Sequence, residues 1–297
     1  MKSNSRGGER MEKKIGFIGV GVMGVHMASH LMNAGYEVVV YNRTKEKALP
    51  LLEAGAEWKN TVKEVAETAD VIITIVGYPH DVEEVYLGAN GLLNHARKGT
   101  YFIDMTTSKP ALAVAIHEEA KKRDMHALDA PVSGGEIGAK EARLAIMVGG
   151  DEADFQAVLP ILEKMGSNIM LQGGAGAGQH TKMCNQIAIA SGMIGVCEAV
   201  AYAEKAGLSA ETVLQTIQTG AAGSWSLSNL APKMIHGNFE PGFYIKHFIK
   251  DMTIALESAE EMGLLTPGLK LAKESYEKLA QQGQENSGTQ ALYKLYQ

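Results

Sequence analysis

Cys184 and Cys197 are the only two cysteines in this chain of 297 residues. Both fall in a stretch that reads as one helix, which sets them roughly 20 Å apart along its axis at about 1.5 Å of rise per residue. A disulfide between them is geometrically excluded, and thiols this sparse suit a reducing, cytoplasmic setting. Excess basic charge is missing as well. With 28 Lys and Arg against 34 Asp and Glu the net charge is −6, so there is no electrostatic footprint for nucleic acid. A Gly-x-x-x-x-Gly-Lys-Ser/Thr phosphate loop and a Gly-x-Ser-x-Gly nucleophile elbow are both absent. His117-Glu118-Glu119 begins like a zinc-protease helix but has no histidine at i+4, and no Cys/His cluster occurs elsewhere, so no metal is expected. No secretory signal opens the chain. Residues 1–10 are polar and contain Gly and Ser, which reads as a disordered leader or a cloning scar, with the fold starting near Met11. A single stretch, 187–203, is apolar enough to raise the question of a membrane span. Glu198 and several small residues make it a buried helix instead, and no membrane partner is expected.

What is present is an ordinary globular balance of 45% apolar and 21% charged residues, long enough for two domains. Lys14–Ile18 is a short apolar run and reads as a buried strand. The glycine-rich turn 19–24 follows, then helical spacing over 26–34 with Gly35 as its stop, then a strand at Glu37–Tyr41. Strand, turn, helix and strand in that order form a βαβ unit. Strands are expected further on at 71–76, 101–104, 125–129, 144–148 and 168–171, with helices at 81–87, 110–123 and 152–165. Such alternation predicts a Rossmann-type α/β domain with a mostly parallel sheet. Past Gly173-Gly174-Ala175-Gly176-Ala177-Gly178 the pattern turns helical, with one long helix from Gln179 to about Lys205 and almost no strand signal over 209–297. The expected domains are 11–174 and 175–297, the second all-α and joined to the first through the long helix.

Gly19-Val20-Gly21-Val22-Met23-Gly24 has the spacing of a dinucleotide-binding turn. Its first glycine permits the tight turn, its second lets backbone approach a diphosphate, and its third lets helix pack closely on strand. Three glycines alone are weak; within a βαβ unit they are specific. At the end of the second strand, where an NAD site usually carries an acidic residue, stands Asn42-Arg43-Thr44. A carboxylate there would repel a ribose 2′-phosphate, whereas Arg43 pairs with one and Thr44 can donate to it. NADPH is therefore expected over NAD, the plain alternative being an exposed surface arginine.

With these motifs in place, the chain resembles the β-hydroxyacid dehydrogenase family, which includes 3-hydroxyisobutyrate dehydrogenases, tartronate semialdehyde reductases and glyoxylate/succinic semialdehyde reductases. The likeness runs from about Lys14 to the C-terminus. It rests on the turn 19–24 with Met23, Asp104-Met105-Thr106-Thr107, Asp129-Ala130-Pro131-Val132-Ser133-Gly134-Gly135, Gly176-x-Gly178-x-x-x-Lys182 and Lys250-Asp251. The resemblance implies that Thr107 and the loop Val76, Gly77, Tyr78, Pro79 line the cofactor. It implies that Ser133, Gly134 and Gly135 hold a carboxylate or carbonyl oxygen of a small-molecule substrate, through a hydroxyl and exposed backbone N–H groups. Lys182 is the expected catalytic residue. As hydride reaches a carbonyl carbon, its oxygen gathers charge that an ammonium stabilises and can protonate.

Asn185 and Gln186 follow Lys182 at i+3 and i+4 and share its helical face. The family often has paired asparagines here, so either residue stands as the substrate partner. Lys250 is carried over as a cofactor contact, and Trp225, in Gly223-Ser224-Trp225-Ser226, is expected to serve packing. The resemblance further implies an active site between the domains and a homodimer or homotetramer. The reading is an NADPH-dependent oxidoreductase of small carbonyl or hydroxy carboxylates. An imine reductase, or a non-catalytic NADPH-binding scaffold, is the alternative.

Overall fold

The computed structural model describes residues 13–297; the leader expected at 1–10 lies outside the described residues. The chain forms two compact units, one ending at Lys182 and the other beginning at Met183. The division falls inside the helix Ala177–Lys205.

Among its described residues the first unit has nine strands: β1 (Lys14–Ile18), β2 (Glu37–Tyr41), β3 (Glu57–Trp58), β4 (Val71–Thr74), β5 (Tyr101–Asp104), β6 (His126–Asp129), β7 (Val132–Ser133), β8 (Leu144–Gly149) and β9 (Gly166–Gly173). Their order is β3-β2-β1-β4-β5-β6-β8-β7, with β9 also on β8. The six strands from β3 to β6 run parallel, and β8 is antiparallel to β6 and β7. Side chains of a strand alternate between faces, and here both faces are apolar. Ile15, Phe17, Val38, Val40, Val71 and Ile73 enter one core cluster. Ile18, Val39, Ile72 and Phe102 enter a second. A parallel sheet covered on both sides therefore shows as continuous apolar runs in the sequence. Helices Gly24–Asn33, Pro79–Leu87, Pro110–Lys122 and Glu152–Leu162 are among those this unit carries.

Several expected bounds shift, and two short strands are added. β4 stops at Thr74 rather than continuing to 76, because the Val76 N–H leaves the ladder to donate to Thr106 Oγ1 at 2.9 Å. The helix expected over 152–165 ends at Leu162. The two-residue strands β3 and β7, absent from the sequence reading, are too short to carry any periodicity.

The second unit is helical, with Ala210–Ile217, Ile245–Glu261 and Pro267–Leu279 as its longer helices after the long one. Its core joins Met193, Cys197, Phe248, Met252, Tyr276 and Leu292. The buried Tyr276 hydroxyl donates to Thr289 O at 2.8 Å. Ala177–Lys205 contributes Gln186, Ala190, Met193, Cys197 and Val200, a face recurring every three or four residues. The expectation of a buried helix is corrected: only 39% of its most apolar 18-residue window is buried, and Cys184, Ala188, Ser191, Gly195 and Tyr202 are exposed. The helix is long and apolar enough to cross a membrane by length and composition alone, and its exposed side carries small residues together with Glu198 and Tyr202. Trp225, expected in packing, is 65% exposed; Ser224 beside it caps a short helix by accepting the Leu227 N–H at 3.0 Å.

Polar side chains line the C-terminal ends of the central strands. Thr74 Oγ1 donates to Asp104 Oδ1 at 2.9 Å, shares a hydrogen bond with the Tyr86 hydroxyl, and the Thr106 N–H reaches the same carboxylate at 3.1 Å. Burial pushes the Asp104 carboxyl up from 3.8 to about 6, the bonds from Thr106 and Thr74 oppose this, and neighbouring Asp129 adds to the rise. A carboxyl raised in the folded state keeps a proton that the unfolded chain has already lost. Stability from this group is therefore full below the unfolded value, declines as pH rises through the window from about 4 to about 6, and is level above it. Asp104→Asn keeps an acceptor but cannot titrate. The stability difference between wild type and Asp104→Asn should change by about 1–3 kcal/mol between pH 4 and pH 7. Denaturant unfolding across that range checks it, and parallel curves for the two proteins would contradict it.

Candidate active site

The turn after β1 shows three glycines with three different surroundings. Gly19 has φ +94°, and a Cβ on it would meet Ile75 O at 2.0 Å. A Cβ on Gly24 would meet Gly19 O at 2.0 Å, so the helix starting there lies directly against the turn. Beside Gly21 there is nothing within 4 Å. Two of the glycines are thus required by the chain's own packing, and the middle one leaves space free where a diphosphate would approach. Val22 is 51% exposed, Met23 is half-buried, and no side chain caps the helix Gly24–Asn33 nor does an acidic residue sit in its first turn. Such an uncapped helix start favours an anion. These residues fit the diphosphate of a dinucleotide.

Asn42 acts as a brace. Its Oδ1 accepts the Val20 N–H at 3.2 Å and its Nδ2 donates to Thr44 O at 2.8 Å, which ties the end of β2 to the glycine turn. Arg43 is 76% exposed on its side chain, and its Nη1 donates to Asp81 Oδ1 at 3.0 Å. Asp81 is buried, and its other oxygen accepts the Tyr78 N–H at 3.0 Å, so one carboxylate holds both Arg43 and the loop Val76, Gly77, Tyr78, Pro79. Thr44 is exposed next to Arg43. The sequence reading passed over Asp81, although an acidic residue three positions after Tyr78, with Pro79 between, is the pattern of a capped helix start.

At the same C-terminal edge of the sheet, Asp129 closes β6 and receives the Gly176 N–H at 2.7 Å and the Gln179 N–H at 2.8 Å. A carboxylate thereby sits at the N-terminus of a 29-residue helix, where the backbone dipoles favour it. Burial nevertheless pushes its carboxyl above the usual range, against the pull of those N–H groups. One turn on, Lys182 is buried at 7% exposure, and its Nζ donates to Val132 O at 2.8 Å. Val132 immediately precedes Ser133, so the ammonium lies at the head of the Ser133, Gly134, Gly135 loop. Gly134 has φ +133° and Gly135 φ +61°, values that a side chain resists, and this backbone turns sharply after β7. Thr107 is half-buried between Thr106 and Ser108, both of which bond to Gln179.

In the second unit Asn185 Nδ2 donates to Gln186 Oε1 at 2.7 Å, and the buried Gln186 Nε2 donates to Asp251 Oδ2 at 2.7 Å. Lys250 Nζ lies 3.0 Å from Asp251 Oδ1 at ion-pair distance, without the alignment of a hydrogen bond. Asn185, Gln186, Asp251 and Lys250 therefore form one polar chain. A surface groove lined by Leu87, Leu93, Glu118 and Arg123 contains none of the candidate residues.

The glycine surroundings generate a paired expectation. Gly21→Ala should fold with wild-type stability yet bind dinucleotide about 10-fold or more weakly, since the methyl takes only ligand space. Gly24→Ala should unfold several degrees earlier, because its methyl collides with backbone. Thermal melts and fluorescence titration read both. Full dinucleotide affinity in Gly21→Ala would mean that the diphosphate does not approach there.

A family profile described as the NAD binding domain of 6-phosphogluconate dehydrogenase matches residues 14–174. A second, described as NAD-binding of NADP-dependent 3-hydroxyisobutyrate dehydrogenase, matches residues 176–296. An uncharacterised oxidoreductase of Bacillus subtilis (strain 168) is 66% identical over 96% of this chain and 99% of its own length. The 2-hydroxy-3-oxopropionate reductase of Escherichia coli (strain K12) is 40% identical over 91% of this chain and 92% of its own. Among solved structures, Mycobacterium tuberculosis 3-hydroxyisobutyrate dehydrogenase with L-serine superposes with a TM-score of 0.88 at 32% identity, covering 96% of this chain and 99% of that one. With both profiles matched end to end and relatives of this identity, the chain belongs to the β-hydroxyacid dehydrogenase family, NAD(P)-binding oxidoreductases that act on small hydroxyacids.

Proposed function

We propose that the protein is an NADPH-dependent reductase of small carbonyl carboxylates in which Lys182 supplies the proton. The observation that carries this reading is the bond from Lys182 Nζ to Val132 O, which holds a buried ammonium against the loop of Ser133, Gly134 and Gly135. Reduced nicotinamide, when bound, supplies the hydride. The Ser133 hydroxyl and the backbone N–H groups of Gly134 and Gly135 hold the substrate's carboxylate or carbonyl oxygen. Lys182 gives its proton to that carbonyl oxygen as charge gathers on it, and in the reverse direction its neutral amine takes the proton from the alcohol. Burial of the lysine keeps water from competing at that atom.

NADPH preference is supported by Arg43, whose guanidinium keeps further N–H donors free after its bond to Asp81, enough for two-point contact with a 2′-phosphate. Thr107 and the loop Val76, Gly77, Tyr78, Pro79 are proposed as further cofactor contacts, and Lys250 as another. Asn185 and Gln186 are proposed as polar contacts of the substrate. The name of the Escherichia coli relative supports a semialdehyde of the tartronate type as the substrate class. A homo-oligomer is proposed on the exposed apolar residues of the second unit, Tyr202 at 75%, Leu264 at 54% and Leu265 at 91%.

Lys182→Ala should lose about 100-fold or more of its turnover while NADPH affinity stays within a few-fold. Arg43→Ala should weaken NADPH about 10-fold or more and leave NADH almost unchanged. Steady-state kinetics and binding titrations measure these; near-normal turnover in the first variant, or equal losses in the second, contradict the assignments. Light scattering should give at least twice the 31.8 kDa chain mass, and a monomer at micromolar concentration would reject the oligomer.

A further inference from the structure

Gln179 stands where three segments of the first unit meet, and nothing about its composition in the glycine-rich helix entry marks it. It is fully buried, at 0% exposure. Its Nε2 donates to Thr106 O at 2.7 Å, and its Oε1 accepts the Ser108 N–H at 2.9 Å. The carboxamide thereby pairs with the backbone on either side of Thr107 as a neighbouring β-strand would, with one donor and one acceptor matched. Its own N–H is fixed by Asp129 Oδ2 at 2.8 Å. The segment it grips reaches onward, since Thr106 Oγ1 accepts the Val76 N–H at 2.9 Å at the start of the loop after β4. Lys182 lies three residues further along the same helix, on the same face.

We propose that Gln179 is a positioning residue: its carboxamide holds the backbone of 106–108, and with it Thr107, in register with Lys182. The inference rests on the reading of Lys182 as the proton donor and of Thr107 as a cofactor contact. A helix and a loop joined only by packing can slide by fractions of an ångström; two buried hydrogen bonds of opposite sense to one side chain fix both the distance and the rotation. A misplacement of about 1 Å at a reacting centre lowers a rate about 100-fold, so loss of the grip is expected in turnover rather than in cofactor affinity.

The test uses the full chain with two substitutions. Gln179→Met keeps side-chain length and helix propensity but has neither donor nor acceptor. Gln179→Glu keeps the acceptor for the Ser108 N–H, and its buried carboxyl donates to Thr106 O only while it holds a proton. In Gln179→Met, kcat should fall about 10- to 100-fold with the NADPH dissociation constant within about 3-fold. Amide exchange at Ser108 in the cofactor-free protein should accelerate about 10-fold or more. Gln179→Glu should keep protection at Ser108, and its kcat should fall as pH rises through the range in which the buried carboxyl ionises. A folded Gln179→Met with kcat within two-fold of wild type, or with unchanged exchange at Ser108, overturns the proposal. Lys182→Ala assayed alongside separates the two readings. Turnover lost in Lys182→Ala but kept in Gln179→Met overturns the grip alone. Turnover kept in Lys182→Ala overturns the catalytic reading, and the positioning role with it.

Discussion

The carboxylate of Asp129 at the head of the long helix is the interaction on which the candidate site depends. From the end of β6 it accepts the Gly176 N–H just before the helix and the Gln179 N–H in its first turn, and so fixes both where the helix starts and how it is rotated. Rotation matters more than position. At 100° per residue, a small twist would turn Lys182 away from Val132 O and Gln179 away from 106–108. Burying a carboxylate carries a desolvation cost that only close, charge-assisted hydrogen bonds offset. Asp129, with 4% exposure, has several backbone donors that work against this cost, although burial still holds its carboxyl above the usual range.

The same logic recurs around the sheet's C-terminal edge. Asn42 braces the glycine turn, Asp81 holds both Arg43 and the loop after β4, and Asp104 organises the start of the 104–108 segment. Each is a polar side chain that serves backbone N–H groups released where a strand ends. A parallel sheet frees those groups in one row, which is why binding loops of such folds gather there. Thr74, Asp104 and Asp129, the last residues of β4, β5 and β6, are buried polar groups at this edge, while the residues before them in β4 and β5 are apolar.

Much of this was legible in the sequence. β1, β2, β4, β5 and β6 are apolar runs bounded by turn residues, and the turn 19–24 carries its own spacing. Lys182, Ser133 and the glycines beside it were found through motifs, and the structure brings the lysine and the loop together. Several features escaped because nothing local announces them. Gln179 bonds to residues more than 70 positions away, Lys182 to one 50 away, and Arg43 to Asp81 across 38. A single sequence displays periodicity and neighbours in the chain, not such distant pairs. The partial burial of Ala177–Lys205 escaped for another reason: its composition is apolar on most sides, so hydropathy could not distinguish a core helix from one with an open face.

The most direct measurement is cofactor oxidation by the purified protein, with NADPH and NADH each supplied against glyoxylate and succinic, tartronate and methylmalonate semialdehydes. The account predicts NADPH-dependent turnover of at least one of these acids, with NADPH preferred over NADH by about 10-fold or more through Arg43. Tight NADPH binding with no turnover of any of the four would contradict it, because the buried lysine beside the serine-glycine loop would then have no carbonyl acid to protonate.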